Sequence, residues 1–472
     1  MKSFHIFSNS HGMKNAGNSS NDFTQGSILS NILSMALPIT MGQLINILYS
    51  LVDRIYIGRI PGTASLALTG LGLSVPITTI IMAFSNLYGM GGGPLCSMER
   101  GKKNDQEAQA IMCNAFVLLV VTGLLLTMAG LLLKKPMLYL FGASDETFPY
   151  ADAYLSIYLL GTVFVMISLG MNNFINAQGF GQVGMITIMS GAISNIILDP
   201  IFIFALDMGI QGAAIATVIS QFISAAWVLQ FLTGKKALLR LELSSMKLQA
   251  ARVRKICTLG LSGFIVGVTN SAVSVVCNAT LQTWGGDLYV GIMTVINTIR
   301  EVISMPITGI SSGAQPVIGY NYGAGAYKRV RGCIKVTSIL GIAYTAAAWI
   351  FVSVFARQLM GLFTTDAELI EAGVPCFHIY YAAFIMMSLQ FAGQSVFQAL
   401  GRSKQAIFFS LLRKVVIVIP LTLLLPHMAD LGVYGVFAAE PVSNVLGGTA
   451  CYVTMLSIML PELKRLEIEK QS

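Results

Sequence analysis

Turn-forming residues break the chain into twelve apolar runs, at about residues 32–57, 64–93, 108–133, 149–173, 184–206, 210–233, 256–283, 287–312, 331–355, 372–398, 406–427 and 431–459. A helix needs roughly 20 apolar residues to cross a bilayer, and every run is that long. No long polar block remains for a soluble domain. Only 11% of the residues are charged and 55% are hydrophobic, against roughly 25% charged in soluble proteins. A soluble globule of this size would lack a solvated surface. Soluble enzyme, nucleic-acid binder and disordered chain are therefore excluded. The sequence predicts an all-α integral membrane protein of twelve transmembrane helices, with the lipid bilayer as its constant partner.

The net charge of +8 has a membrane explanation. With the N-terminus inside, 21 of the 29 Lys and Arg residues fall in inside segments and five outside; Arg300, Arg413 and Lys414 lie in or beside spans. Basic residues collect on the cytoplasmic side. Both termini are thus expected in the cytoplasm, with the protein multi-pass in the cell's inner (plasma) membrane. Nucleic acid is not needed to explain the charge. Residues 1–29, rich in Asn, Ser and Gly, lack the basic-then-apolar pattern of a signal peptide. They are expected to be a disordered cytoplasmic tail, and residues 461–472 a second, short one.

The chain also repeats itself. Leu140-Phe141 matches Leu362-Phe363, Ile157-Tyr158 matches Ile379-Tyr380, Ala177-Gln-Gly179 matches Ala399-Leu-Gly401, and Gly209-Ile-Gln-Gly212 matches Gly432-Val-Tyr-Gly435 after a one-residue slip. Matches in order at one offset indicate duplication. Six spans per unit is an even number, so the two units share an orientation, as parallel transporter repeats do. The predicted organisation is an N-terminal six-helix lobe at 30–233, a cytoplasmic linker at 234–255 and a C-terminal six-helix lobe at 256–460.

Chemistry that needs a cofactor finds no foothold. The seven cysteines are scattered without a CxxC, no His/Cys/carboxylate set has zinc spacing, and phosphate-loop and nucleophile-elbow signatures are absent. The chain reads as a transporter, not an enzyme, with no cofactor beyond a coupling ion.

Ionisable groups inside spans are costly and tend to face cavities. Four acids stand out: Asp53, Asp199, Glu301 and Glu440. Counting residues from the span ends places Asp53, Asp199, Thr217 and Tyr154 in one layer, and Asn195 lies one turn from Asp199 on the same face. Two nearby carboxylates in low dielectric share a proton or a cation. Asp53, Asp199, Asn195, Thr217 and Tyr154 are therefore the candidate ion-coupling residues, with sodium an option at Asp53 and Asp199. Candidate cavity residues are Gln43 and Asn46 from a polar stripe on the first span, Asn270, Ser274 and Asn278 on the seventh, Gln390 and Gln394 on the tenth, and Arg300, Glu301 and Glu440. The adjacent Arg300 and Glu301 point to different faces and do not suggest a pair. The 24 Met residues suit an adaptable cavity.

Several stretches, Ala36-Leu-Pro38, Leu51-Val-Asp-Arg-Ile-Tyr-Ile-Gly58, Asn195-Ile-Ile-Leu-Asp199-Pro200 and Gly313-Ala-Gln-Pro-Val-Ile-Gly-Tyr-Asn-Tyr-Gly-Ala324, make the chain resemble the multidrug and toxic compound extrusion (MATE) family, nearest its MepA-like subgroup, over about residues 27–460. The resemblance implies two six-helix lobes around a central cleft. It also implies export of small organic cations or lipophilic drugs in exchange for protons or sodium, with antibiotic resistance as a consequence. Asp53 falls on the family's coupling aspartate, and Pro38 on a first-helix proline that acts as a hinge in some members. The resemblance carries over Asn195, Asp199, Thr217 and Tyr154 as an ion network. The chain departs from members with acidic groups in helices 7 and 10, since it has neither, and Asn444 stands where a subgroup motif often has an acid. A monomer is expected. The alternative reading is a flippase for a lipid-linked saccharide, built on the same two lobes.

Overall fold

A computed structural model describes residues 22–363, 366–428 and 431–471. Residues 1–21 of the expected tail lie outside the described residues. The apolar runs form helices α1 (Ile28–Ile57), α2 (Ala64–Gly101), α3 (Asp105–Leu140), α4 (Phe148–Leu160 with Thr162–Ala177), α5 (Gly181–Ala205), α6 (Gly209–Thr233), α7 (250–285), α8 (287–323), α9 (Tyr327–Val354), α10 (Ala367–Tyr381 with Phe384–Ala399), α11 (Ser403–His427) and α12 (Val433–Lys470). Helix starts carry the expected caps: Ser27 Oγ accepts from Ser30 N, Asn104 Oδ1 from Glu107 N, and Asp366 Oδ1 from Glu368 N, satisfying amides that no turn can reach. The helices α7 and α8 run on from one another, separated by Gly286 at φ 66°, ψ −164°, a conformation open to glycine alone.

Two helices differ from the sequence reading. Spans 4 and 10 were expected as single rods, but α4 bends by 56° at Gly161 and α10 by 42° after Tyr381. Neither bend sits on a proline. At Gly161 the absent side chain lets α6 approach, since a Cβ there would come 2.7 Å from Val218 Cγ2. The helices α1 and α8 continue through their prolines, Pro38 in the first and Pro306 and Pro316 in the second. Three others border π-helical turns, at Ile201–Ala205 after Pro200, Leu412–Val418 before Pro420 and Asn444–Gly448 after Pro441. A proline lacks its N–H, so the i→i−4 ladder breaks there and wider turns are tolerated.

The helices pack as two six-helix lobes, α1–α6 and α7–α12. One apolar core runs from Ile57 to Ile256 and is built by the first lobe, Leu239 of the connecting segment and the start of α7. Two more serve the second lobe, and one of them includes Phe23, Ile32 and Met35. The beginning of α1 is therefore packed into the opposite lobe. Phe23 is 1% exposed and meets Tyr320 edge-on at 5.8 Å. Arg329 and Asn321 donate to the carbonyl of Phe23, and Arg329 also to those of Gln25 and Gly26. The segment 234–249 lies against α3, where Asn114 Nδ2 donates to the carbonyl of Lys247 and its Oδ1 accepts from Gln249 N, and Arg252 clamps Glu107 at 2.6 Å.

The lobes touch along a glycine seam at the end carrying the basic loops. A Cβ on Gly260 would stand 1.7 Å from Leu87 O, on Gly323 1.9 Å from Met98 O, on Gly101 2.0 Å from Tyr320 O, and on Gly91 2.1 Å from Ile256 O. Gly309 and Gly313 make similar approaches to Thr40 and Ala36 on α1. Away from the seam, a Cβ on Gly72 or Gly267 would meet nothing within 4 Å, and a cavity lies between the lobes. The lobes thus close at the basic end and leave a cleft beyond it.

Candidate functional site

In the first lobe, α5 and α6 bring a polar group out of an otherwise apolar interior. Asn195 and Asp199 are one turn apart on α5, and Asn195 Nδ2 donates to Asp199 Oδ1 at 3.1 Å and to Thr217 Oγ1 on α6 at 3.4 Å. Asp53 on α1 faces this pair within hydrogen-bonding reach of Asp199. Tyr154 on α4 reaches Thr217. All five side chains are buried. The structure thus brings together the residues that depth counting placed in one layer.

The cluster is incompletely satisfied. Asp53 Oδ1, Asp199 Oδ2 and Asn195 Oδ1 are buried and accept no hydrogen bond among the described residues. Buried carboxylate oxygens without donors are strongly disfavoured, and a proton or a cation between Asp53 and Asp199 removes the penalty. No group of three or more His, Cys, Asp or Glu side chains is assembled among the described residues, so a cation here draws its other oxygens from amide and hydroxyl groups. Tyr49, one turn before Asp53, is a further member that the sequence reading missed. With Asn46, Asn195 and Thr217 it lines a small cavity beside the cluster. Its i, i+4 spacing from Asp53 was the available signal.

A larger cavity of about 720 Å³ lies between the lobes. Such a volume suits a drug-sized molecule. Its walls include Gln43, Asn46, Asn270, Ser274, Arg300, Glu301, Gln390 and Gln394, eight of the ten cavity candidates. Asn46 also borders the small cavity, so the acidic cluster and the cleft adjoin. The other two candidates lie elsewhere. Asn278 is exposed one turn further along α7 and does not line this cavity, and Glu440 lines a smaller adjoining cavity of about 100 Å³ with Asn270, Ser274, Arg300 and Lys414. Glu440 accepts from Arg413 Nη2 at 2.8 Å and Arg300 Nη1 at 3.3 Å. Arg300 therefore finds its partner 140 residues away, a pairing that residue spacing could not reveal. Arg413 and Lys414 also line the cleft. A second, amide-rich cavity of about 300 Å³ near the seam, with Asn86, Asn172, Asn176 and Gln315 on its walls, was likewise not anticipated, although Asn172 and Asn176 have helical spacing.

Comparison with known proteins follows the same lines. The MatE family profile matches residues 38–201 and 264–424, one stretch in each lobe. Multidrug export protein MepA of Staphylococcus haemolyticus (strain JCSC1435) is 27% identical over 452 residues, covering 95% of this chain and 97% of that protein. Multidrug export protein MepA of Staphylococcus saprophyticus subsp. saprophyticus is 24% identical over 398 residues, covering 84% and 87%. Among solved structures, a MATE protein in the bent conformation superposes with a TM-score of 0.89 at 20% identity, covering 95% of this chain and 99% of that one. The outward-facing conformation of a multidrug resistance MATE family transporter of the MOP superfamily gives 0.88 at 21% identity, covering 94% and 99%. With the profile matched in both lobes and over most of its length, the chain is a member of the MatE family, a transporter and not an enzyme.

Proposed function

We propose that the chain is a secondary active multidrug exporter, expelling amphipathic and often cationic organic compounds in exchange for protons or sodium. The observation that carries this reading is the buried pair Asp53 and Asp199, whose inward oxygens lack donors beside a drug-sized cleft. The export names of the staphylococcal relatives support it.

The basic end is assigned to the cytoplasm by its Lys and Arg content. The glycine seam then closes the cytoplasmic side, and the described arrangement is outward-facing. Here Asp53 and Asp199 take up the ion. Occupancy changes the hydrogen bonds of α1, and a bend near Pro38 alters the cleft. The lobes then rock about the cleft, and drug binding from the cytoplasm favours the state that releases the ion, since each ligand shifts the equilibrium by its preference for one state.

Asp53→Asn keeps shape and burial but removes the titratable group. Cells expressing it are expected to lose export of a fluorescent cation while membrane levels of the protein stay at wild-type values. Retained export by this variant would sink the assignment.

A further inference from the structure

The surroundings of repeat-related positions differ in charge between the two lobes. The repeat register that aligns Gly209 with Gly432 sets Glu440 against Thr217, and the one that aligns Ile157 with Ile379 sets Tyr380 against Tyr158. In the first lobe Thr217 borders an acidic pair through Asn195. In the second Glu440 borders three bases. Arg413 Nη2, Arg300 Nη1 and Lys414 Nζ stand 2.8, 3.3 and 3.5 Å from one oxygen, Glu440 Oε1. Arg413 and Lys414 are buried and Arg300 is half-buried.

One carboxylate does not satisfy this set. A guanidinium offers five N–H donors and an ammonium three, yet the two hydrogen bonds found here both go to Glu440 Oε1. The positions of the charges matter as much as their number. Arg300, Arg413 and Lys414 line the cleft, whereas Glu440 lines a smaller adjoining cavity of about 100 Å³ that it shares with Arg300 and Lys414. Glu301, next to Arg300, is the acid on the cleft wall; counting it together with Glu440 still leaves the bases in excess. The backbone is shaped for the cluster. Arg413 and Lys414 lie on the π-helical turn of α11, a device frequent at functional sites. On α12, Gly447 leaves the space that the Arg413 side chain fills, since a Cβ there would come 2.9 Å from Arg413 Cγ. Buried positive charge in excess of its partners is costly. An anion entering the cleft offsets that cost through charge-assisted, bidentate contacts.

We propose that Arg300, Arg413 and Lys414 form an anion-binding subsite on the second-lobe wall of the cleft, which takes a carboxylate or phosphate of an amphipathic compound. This deepens the export reading and rests on it for its physiological meaning: the cargo range extends to amphiphiles that carry an anionic group, zwitterions included, with the first-lobe acids left to the coupling ion. The same anionic group is carried by dissolved compounds and by lipid headgroups.

The test uses the full chain in phosphatidylcholine nanodiscs and fluorescence polarisation with two dyes, rhodamine B and its ethyl ester, which differ in the free carboxylate. Rhodamine B is expected to bind at least about tenfold more tightly, the scale of a charge-assisted contact. Lys414→Gln is expected to abolish most of that preference and Lys414→Arg to keep it. Lys414 has the longest contact to Glu440, so its loss disturbs the ion cluster least. Arg300→Gln, at a half-buried position, is the second variant, and both must elute as monodisperse protein. Equal affinity of the two dyes for the wild-type protein, or a preference unchanged in both folded variants, overturns the subsite. Displacement of rhodamine B in phosphatidylglycerol nanodiscs supports the subsite with a lipid headgroup as its anion; retention there supports it with a dissolved one. Ion-driven uptake of the ethyl ester by everted vesicles containing wild-type protein reports the export reading separately. Absent uptake with the carboxylate preference intact refutes export alone, and uptake without the preference refutes the subsite alone.

Discussion

Gly260→Ala adds one methyl group at the tightest point of the inter-lobe seam. A Cβ at Gly260 would lie 1.7 Å from Leu87 O and 2.7 Å from Leu87 C. The obstacle is backbone on another helix, so no side-chain rotation relieves it. The start of α7 must retreat from α2 by more than about an ångström. Overpacking of this kind costs about 1–3 kcal/mol. The contact exists only while the lobes are closed at the basic end, so the cost falls on that state alone. If the lobes rock between two states, the equilibrium shifts away from the closed seam by about fivefold to 150-fold. Spin labels on the exposed Gln106 and Lys328, one on each lobe beside the seam, report the change in a background with reactive native cysteines replaced. The expected result is a longer or broader distance distribution in the variant than in the parent. An unchanged distribution together with unchanged transport would refute the claim that the seam is the moving contact.

Three further expectations concern the same end of the molecule. Phe23→Ala removes a ring 1% exposed and is expected to cost about 3 kcal/mol, read as a lower thermal unfolding midpoint; no change would mean that the segment before α1 does not brace the second lobe. The Arg252 guanidinium holds the Glu107 carboxyl below the usual glutamate range. The stability this pair contributes is therefore full above the ordinary glutamate value and is lost as the pH falls through the lower folded value. The protection of amides in 234–249, taken relative to their intrinsic exchange rate at each pH, is expected to fall over that acid window and, in Glu107→Gln, to be low and flat with pH. A wild-type profile that stays flat would contradict the link.

The sequence carried the site's acidic half further than its basic half, for a physical reason. Asn195 and Asp199 are one helical turn apart, so their shared face follows from helix geometry. The layer containing Asp53, Thr217 and Tyr154 needed only a constant rise per residue and the span ends. Tyr49 was legible by the same spacing from Asp53. The Arg300–Glu440 and Arg413–Glu440 pairs depend on how α8, α11 and α12 pack, which periodicity within one helix does not encode. Asn278 shows the converse. It shares the spacing of Asn270 and Ser274, but the cavity ends one turn before it. Among fold features, the twelve runs were plain in the apolar pattern and the duplication in the ordered residue matches. The bends in α4 and α10 were not, because they arise at Gly161 and after Tyr381 rather than at prolines. The contribution of Phe23, Ile32 and Met35 to the opposite lobe's core was equally hidden, since Phe23 was read as part of a disordered tail and Ile32 and Met35 as part of the first lobe.

The central claim is that Asp53 and Asp199 couple an ion gradient to export. The most direct measurement reconstitutes the purified chain in proteoliposomes and follows flux of a fluorescent amphiphile, with a proton gradient or a sodium gradient imposed separately. The account predicts gradient-driven flux with at least one of the two ions, abolished in both Asp53→Asn and Asp199→Asn while drug binding without a gradient persists. Flux that ignores both gradients, or that survives both substitutions, would contradict it.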